Sequence, residues 1–287
     1  MFDCKNRILT LGHSPDPDDA FMFYAMAEGL VDQRGYRFQH ILQDIQTLNE
    51  RAIRGELDLT AVSVHSLAYI LDKYAVLPSG ASMGDGYGPM FVSPSYNGEG
   101  DEDALEWLKG RLIAVPGEMT SAFLAAKLFL GGDFPHICVP FDEIFRAVKE
   151  GRAEAGLLIH EGQLTYAAEG MTKILDLGEW WTRTRGLPLP LGCNVIRKEI
   201  PDADRAAIRD IFAGSIAYGL AHRAKAVEHS MAHARGLDTS LADRFIGMYV
   251  NDLTVDYGER GRRALETFLC EAAASGHIPA IPKIEFV

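Results

Sequence analysis

Ile8-Leu9-Thr10-Leu11-Gly12 reads as a strand, and it runs through His13-Ser14-Pro15-Asp16-Pro17-Asp18-Asp19 into the segment Ala20 to Glu28. In that segment Phe21, Tyr24, Ala25 and Glu28 fall at helical spacing. Both prolines are confined to the start, where a missing backbone N–H removes no helical hydrogen bond. A strand delivered through a polar turn into a helix is the repeating unit of an α/β domain.

Outward from this unit the alternation continues. Tyr36 to Leu42 reads as a strand, Ile45 to Arg54 as a helix, and Leu57 to Val62 as a strand ending in the turn Ser63-Val64-His65-Ser66, with another helix running to Tyr74. The stretch from Gly80 to Pro89 has no phosphate-loop spacing and reads as a hinge, from which Met90 to Ser93 leaves as a strand. An acidic loop, Asn97 to Asp103, precedes a second series. Leu112 to Val115 is a strand, Pro116 to Ser121 a turn, and the next helix stops at Gly131-Gly132. Ile137 to Pro140 then reads as a strand, Asp142 to Glu150 as a helix, and Ala155 to Ile159 as a strand that delivers His160-Glu161. Gly186-Leu187-Pro188-Leu189-Pro190-Leu191-Gly192 is too proline-rich for a central strand and reads as a return crossing. From Asp202 onward the pattern is helical.

Two crossings around a middle segment of roughly 100 residues imply a chain that builds one lobe, leaves to build a second, and returns. The expected architecture is an α/β clamp with a ligand cleft between its lobes. Lobe one is residues 1–92 plus 190–287, and lobe two is residues 93–189.

Composition narrows the function. The 287 residues are 47% hydrophobic, enough for a sizeable core, and carry a formal net charge of -12. That charge repels phosphate backbones and anionic lipid surfaces, so nucleic-acid binding is not expected. The richest apolar run, Ser121 to Leu130, is interrupted by Lys127 and falls short of the roughly 18 residues that span a bilayer. With charges at Asp3, Lys5 and Arg7, no signal-peptide core can be drawn, and a cytoplasmic location is expected. Cys4, Cys138, Cys193 and Cys270 are scattered without a C-x-x-C pair, which suggests reduced, mostly structural thiols and no zinc site.

In open α/β sheets, ligands sit beyond the carboxyl ends of the strands, where helices present free amides and a positive dipole end. Ser14 to Asp19, Thr60 to Ser63 and Gly117 to Ser121 each place a small hydroxyl residue at such a position, as an ordinary N-cap or as a ligand contact. Asp16, Asp18 and Asp19 crowd the first of these. Their spacing lacks the glycine and terminal glutamate of a calcium loop, and acids suit a helix N-terminus without further function. Asp19, closing the loop onto the helix, is the strongest ligand candidate of the three. His160 ends a buried-looking strand at the same edge, where an imidazole with an ordinary pKa of about 6.5 suits proton abstraction. His13 and His65 are its rivals. His229 and His233 have i,i+4 spacing without a nearby carboxylate cluster, so no metal is assigned. Trp180-Trp181 and Tyr166 read either as a cover over an aromatic ligand or as a structural lid on lobe two.

Several segments together resemble the 1,4-dihydroxy-6-naphthoate synthase family of menaquinone biosynthesis, related in fold to periplasmic substrate-binding proteins. They are Ser14-Pro15 with Phe21 to Ala25, Asp44-Ile45-Gln46-Thr47-Leu48-Asn49, Ala114-Val115-Pro116-Gly117 with Thr120, Glu154 to Glu161, Gly186 to Gly192, Tyr249-Val250-Asn251, and Phe286-Val287. The resemblance implies a cofactor-free, metal-free lyase that takes cyclic dehypoxanthinyl futalosine, expels a three-carbon fragment and leaves the dihydroxynaphthoate. It also implies His160 as the base, with Ala61, Val62, Ser63, Thr120 and Ser121 holding the substrate. Where the family reads Ser-Pro-Cys-Pro-Asn-Asp-Thr-Phe, this chain has Asp16, Asp18 and Ala20. The expected ligand is a small organic acid, and the expected site is His160 with Ser14, Asp19, Ala61, Val62, Ser63, Thr120 and Ser121. A non-catalytic cytosolic binder of a small acid and the chorismate dehydratase of the same pathway are the alternatives.

Overall fold

The computed structural model of the chain describes residues 4–234 and 237–287. The first sheet begins with β1 (Ile8–His13), and α1 (Pro17–Ala27) leads back to β2 (Arg37–Leu42). α2 (Ile45–Arg54) and β3 (Leu59–Ser63) follow, then a single 3-10 turn, α3 (Leu67–Ile70), β4 (Tyr74–Val76) and β5 (Ser82–Gly84). The chain then builds a second sheet: β6 (Met90–Ser93), α4 (Gly100–Leu108), β7 (Ile113–Val115), α5 (Ser121–Leu130), β8 (His136–Cys138), α6 (Ile144–Lys149), β9 (Ala155–Leu158), α7 (Gly162–Thr165) and β10 (Thr172–Asp176). After α8 (Leu177–Arg185) it returns as β11 (Leu189–Arg197) and ends in α9 (Asp202–Ala221), α10 (Arg223–Ser230), α11 (Thr239–Tyr249), α12 (Asp252–Val255) and α13 (Gly258–Ala274).

The sheets have the orders β2-β1-β3-β11-β4, with β5 also on β11, and β10-β6-β9-β7-β8. β1 runs parallel to β2 and β3, while β11 is antiparallel to β3, β4 and β5. The sheets are therefore made of separate stretches of chain, the first from residues 8–84 and 189–197 and the second from residues 90–176. One apolar cluster nevertheless runs from Val62 and Val195 to Phe91, Val115 and Leu157 through α5, α8 and α13.

Helix ends follow the local chemistry. Asp44 accepts from Thr47 N at 3.0 Å to start α2, and Gly55 closes it in the left-handed region at φ 71°. Asp176 accepts from the amides of Gly178 and Glu179 to start α8, and Gly186 closes that helix at φ 67°. Gly178 has a second constraint: a Cβ there would lie 1.9 Å from the Tyr87 carbonyl oxygen, so the chain leaving the first sheet presses directly on α8.

Several sequence expectations change. The helix expected to run to Tyr74 stops at Ile70, and Tyr74 opens β4. The run from Leu189 is a nine-residue strand inside the first sheet, not a bare crossing. Pro190 is tolerated because it pairs with Met83 of β5 before pairing with β3 begins at Gly192, and the ladder is irregular between Pro190 and Gly192. Within the Gly80 to Pro89 stretch, Ser82–Gly84 is a strand. The acidic loop is in part helix, with Asp101, Glu102 and Asp103 in the first turn of α4, where the macrodipole favours them. Trp180 and Trp181 are core, the first edge-on to Phe129 at 5.4 Å and the second edge-on to Phe268 at 5.4 Å. Neither they nor Tyr166, which packs beside the β9–α6 core, covers a ligand space.

That packing sets a stability prediction. Trp181→Ala should cost about 3–5 kcal/mol in guanidinium unfolding, and Trp181→Phe clearly less, because the void is most of the loss. A change in Trp181→Ala within about 0.5 kcal/mol, as at an ordinary surface position, would mean the indole is a dispensable lid.

Candidate active site

The carboxyl ends of β1, β3, β7 and β9 converge between the two sheets. The cavity there is lined by Ser14, Asp16, Asp18, Asp19, Ala61, Val62, Ser63, Thr120, Ser121, Ala122 and Ile159, with Gly80, Ser82, Leu191, Gly192, Asn194, Phe245 and Tyr249 closing it. Seven sequence-predicted residues thus share one space: Ser14, Asp19, Ala61, Val62, Ser63, Thr120 and Ser121. His160 does not line it. Its ring is buried one residue beyond Ile159, near Phe141 at 5.6 Å and Phe145 at 6.1 Å. His160 Nδ1 accepts from Gly162 N at 2.9 Å and lies 3.8 Å from Glu161 Oε2.

Hydrogen bonds cross the cleft. Ser121 Oγ donates to the Leu191 carbonyl at 2.6 Å and accepts from His65 N at 3.2 Å, which ties the start of α5 to β11 and to the turn after β3. Asn49, fully buried in α2, donates to Ser63 Oγ at 3.0 Å and to the Met119 carbonyl at 3.1 Å. Its own carbonyl oxygen accepts from Ser63 N at 2.7 Å. Gln46 Oε1 accepts from Met119 N at 3.0 Å, and Tyr249 donates to Gln163 Oε1 at 2.6 Å. The Ser121 hydroxyl and the Asn49 amide therefore hold the walls together, and the Ser63 hydroxyl fixes Asn49 within its own wall.

Thr120 is the N-cap of α5, accepting from Phe123 N at 3.1 Å and donating to the Gly117 carbonyl at 2.8 Å. The cap uses the third amide of the helix and leaves the first two, at Ser121 and Ala122, without an intrahelical partner, and both residues line the cavity. Gly117 sits at φ 148°, and a Cβ there would meet Gln46 Oε1 at 2.3 Å, so this loop needs glycine where it passes α2.

Among the described residues no lysine or arginine lines the cavity, whereas three aspartates do. Burial pushes the Asp18 carboxyl up to about 7, assisted by the charges of Asp16 and Glu161. Burial and the Asp18 charge also hold Asp19 well above the ordinary range, although Asp19 Oδ2 accepts from Ser14 N at 2.7 Å. Ser14 Oγ donates to Asp16 Oδ2 at 2.5 Å. The acid loop thus carries proton-donating carboxyls at neutral pH as well as negative charge.

The rival histidines have structural settings. His13 stacks on Phe23 at 4.5 Å and shares a hydrogen bond with His40 at 3.0 Å, and burial with the His40 charge lowers it to about 3. Burial lowers His65 to about 4, and its backbone amide, rather than its ring, reaches Ser121. His229 pairs with Glu28 at 3.3 Å beside Tyr24, while His233 lies beyond α10 in a 3-10 turn. Residue-by-residue reading passed over Asn49, Asn194, Phe245 and Tyr249. Asn194, whose amide donates to the Gly80 carbonyl at 2.9 Å, stands on β11, two residues past the Gly186 to Gly192 run that reads in the sequence as a crossing.

Two α/β sheets joined by two crossings, with a ligand space between them, define a two-lobed clamp of the periplasmic-binding-protein type. The alkanesulfonate-binding protein of Xanthomonas axonopodis shares this fold, with a TM-score of 0.70, 12% identity and coverage of 95% of this chain and 94% of its own. More specifically, the chain belongs to the menaquinone biosynthesis family, whose model matches residues 9–274. A 1,4-dihydroxy-6-naphthoate synthase of Thermus thermophilus is 38% identical, covering 97% of this chain and 99% of the relative. The synthase of Streptomyces coelicolor is 37% identical, with 95% of each covered. A crystal structure from Archaeoglobus fulgidus has a TM-score of 0.88 and 43% identity, covering 94% of this chain and 98% of that one.

The acid loop sets a pH prediction. Asp18 has its ordinary value of 3.8 in the unfolded chain and about 7 in the folded one, so between these values the folded state holds a proton that the unfolded state has lost. Its contribution to stability therefore falls as pH rises through that window and is constant above it. In Asp18→Asn that loss is absent, and the melting temperature of the variant relative to the natural chain should climb from pH 4 to pH 7.5. A pH-independent difference would mean that Asp18 titrates like an exposed carboxyl.

Proposed function

We propose that the chain is a lyase converting cyclic dehypoxanthinyl futalosine to 1,4-dihydroxy-6-naphthoate, acting in the cleft between a lobe of residues 1–92 plus 190–287 and a lobe of residues 93–189. The observation that carries this reading is the arrangement around α5. Ser121 and Ala122 at its start line the cavity, Asp18 and Asp19, whose carboxyls burial pushes up, line it as well, and the strand that delivers His160 reaches it at Ile159. Family membership and the names of the two synthase relatives support the same reaction.

In this reading the substrate carboxylate lies against the Ser121 and Ala122 amides, where the helix dipole takes the place of a cationic side chain. Burial favours the protonated forms of Asp18 and Asp19, and in that form they donate to oxygens of the sugar-derived part instead of repelling the anion. Ser14, Ala61, Val62 and Ser63 shape the space around that part.

His160 removes the proton that starts fragmentation. Gly162 N–H donates to Nδ1, so in the resting neutral ring the proton sits on Nε2. Base action then uses Nδ1, or the ring turned over, and the Glu161 carboxyl 3.8 Å from Nδ1 stabilises the imidazolium. The bonds across the cleft keep water from the reacting carbons while the fragment departs.

Incubating the purified chain with cyclic dehypoxanthinyl futalosine should give dihydroxynaphthoate by mass spectrometry. His160→Ala should lower kcat by roughly 10²- to 10⁴-fold with a smaller change in KM. A natural chain that makes no product would remove the lyase reading, and a His160→Ala variant with undiminished kcat would remove His160 as the base. Turnover of chorismate instead would make the chain the dehydratase, and ligand-induced stabilisation without turnover would make it a binder.

A further inference from the structure

We propose that Glu118, His136 and Cys138 form a binding site for one borderline-soft divalent cation of the zinc class, on the outer edge of the second sheet and apart from the cavity described above. β8 is the edge strand, so His136 and Cys138, two residues apart, project from the same face. Glu118 reaches that face from the loop after β7, whose Val115 is in register with Cys138. One donor atom from each residue, a carboxylate oxygen, an imidazole nitrogen and a thiol sulfur, lies within 4.8 Å of the other two. Around a tetrahedral zinc such atoms sit about 3.3–3.8 Å apart, a contraction that small side-chain rotations supply.

The orientation of His136 carries the argument beyond proximity. Its Nδ1 lies 2.9 Å from the Phe134 carbonyl and must donate there, which leaves the Nε2 lone pair pointing outward. A ring N–H fixed on a backbone carbonyl is the usual support of a metal-binding histidine. That Nε2 then meets Glu118 Oε1 at 3.0 Å, and two acceptors at this distance share either a proton or a cation. Phe123 and Phe134 flank the ring at 4.9 and 5.4 Å and limit its other rotations.

The surroundings favour a cation. Glu118 and Cys138 line a groove together with Asp44, Glu50 and Asp142. A nitrogen, oxygen and sulfur donor set selects zinc-class ions over magnesium or calcium. Cys138 is exposed, so its thiol is open to an arriving ion. Binding breaks the S–H bond, forms the S–metal bond and releases the proton to solvent. The fourth position is left to water. Bound metal would tie the Glu118 loop, which leads directly into the Thr120 cap, to the sheet edge.

Titrating chelator-treated full-length protein with Co²⁺ under reducing conditions tests the site. The expected result is a thiolate-to-cobalt charge-transfer band that saturates at one equivalent and is displaced by Zn²⁺. Cys138→Ser should abolish the band, and His136→Ala should weaken Co²⁺ binding by about tenfold or more. Cys270→Ser, at the other exposed thiol, should leave both unchanged. A band that survives Cys138→Ser but is lost in Cys270→Ser would overturn the proposal. So would the absence of any saturable binding, which would make the Glu118–His136 contact a plain ion pair.

Discussion

The Ser121 hydroxyl is the contact on which the rest of the site depends. It donates to the Leu191 carbonyl on β11 and accepts the His65 amide beyond β3, so one side chain at the head of α5 is held by two elements of the other sheet. Both partners are backbone groups rather than flexible side chains: Leu191 stands beside Gly192, where β11 begins to pair with β3, and His65 lies in the 3-10 turn that follows β3. The clamp closes on a definite geometry for that reason. The α5 amides are brought opposite the acid loop, and the bonds from Asn49 and Gln46 to Met119 hold the approach to α5 from the same side.

A second constraint follows from what closure encloses. Three aspartates facing a cavity that, among the described residues, no lysine or arginine lines would repel an anionic ligand if all were ionised. Burial prevents that: the same desolvation that makes the charged form costly turns Asp18 and Asp19 toward proton donors. In the first loop, Asp16 and Asp18 stand where the resemblance drawn from the sequence leads one to expect cysteine and asparagine. A protonated aspartate offers an O–H donor and an acceptor oxygen, much as an asparagine offers an N–H donor and an acceptor oxygen, so Asp18 is a closer stand-in than its formal charge suggests.

Much of this was legible in the sequence because it is local. The β1 turn, the α5 cap and the strand before His160 are each written in a run of fewer than about fifteen residues with its own punctuation. What escaped reading depends on pairing between distant segments. Pro190 argued against a strand, and only the register with β5 and β3 shows why it is tolerated there. Asn194 and Tyr249 reach the cavity from β11 and α11, elements far apart in sequence from the turns after β1, β3 and β7 that line it. Cys138 looked like one of four scattered thiols, and His136 drew no notice, because Glu118, which β7–β8 pairing brings beside them, belongs to a different strand's loop. His160 was found by its position at a strand end, yet the lining of the cavity stops at Ile159, a one-residue offset that periodicity does not resolve.

A crystal structure with 1,4-dihydroxy-6-naphthoate bound would test the central claim most directly. The account predicts the product between the two sheets, its carboxylate within hydrogen-bond distance of the Ser121 and Ala122 amides and its ring system between the acid loop and Ile159. Product seated outside this cavity, or with its carboxylate turned away from the start of α5, would contradict it.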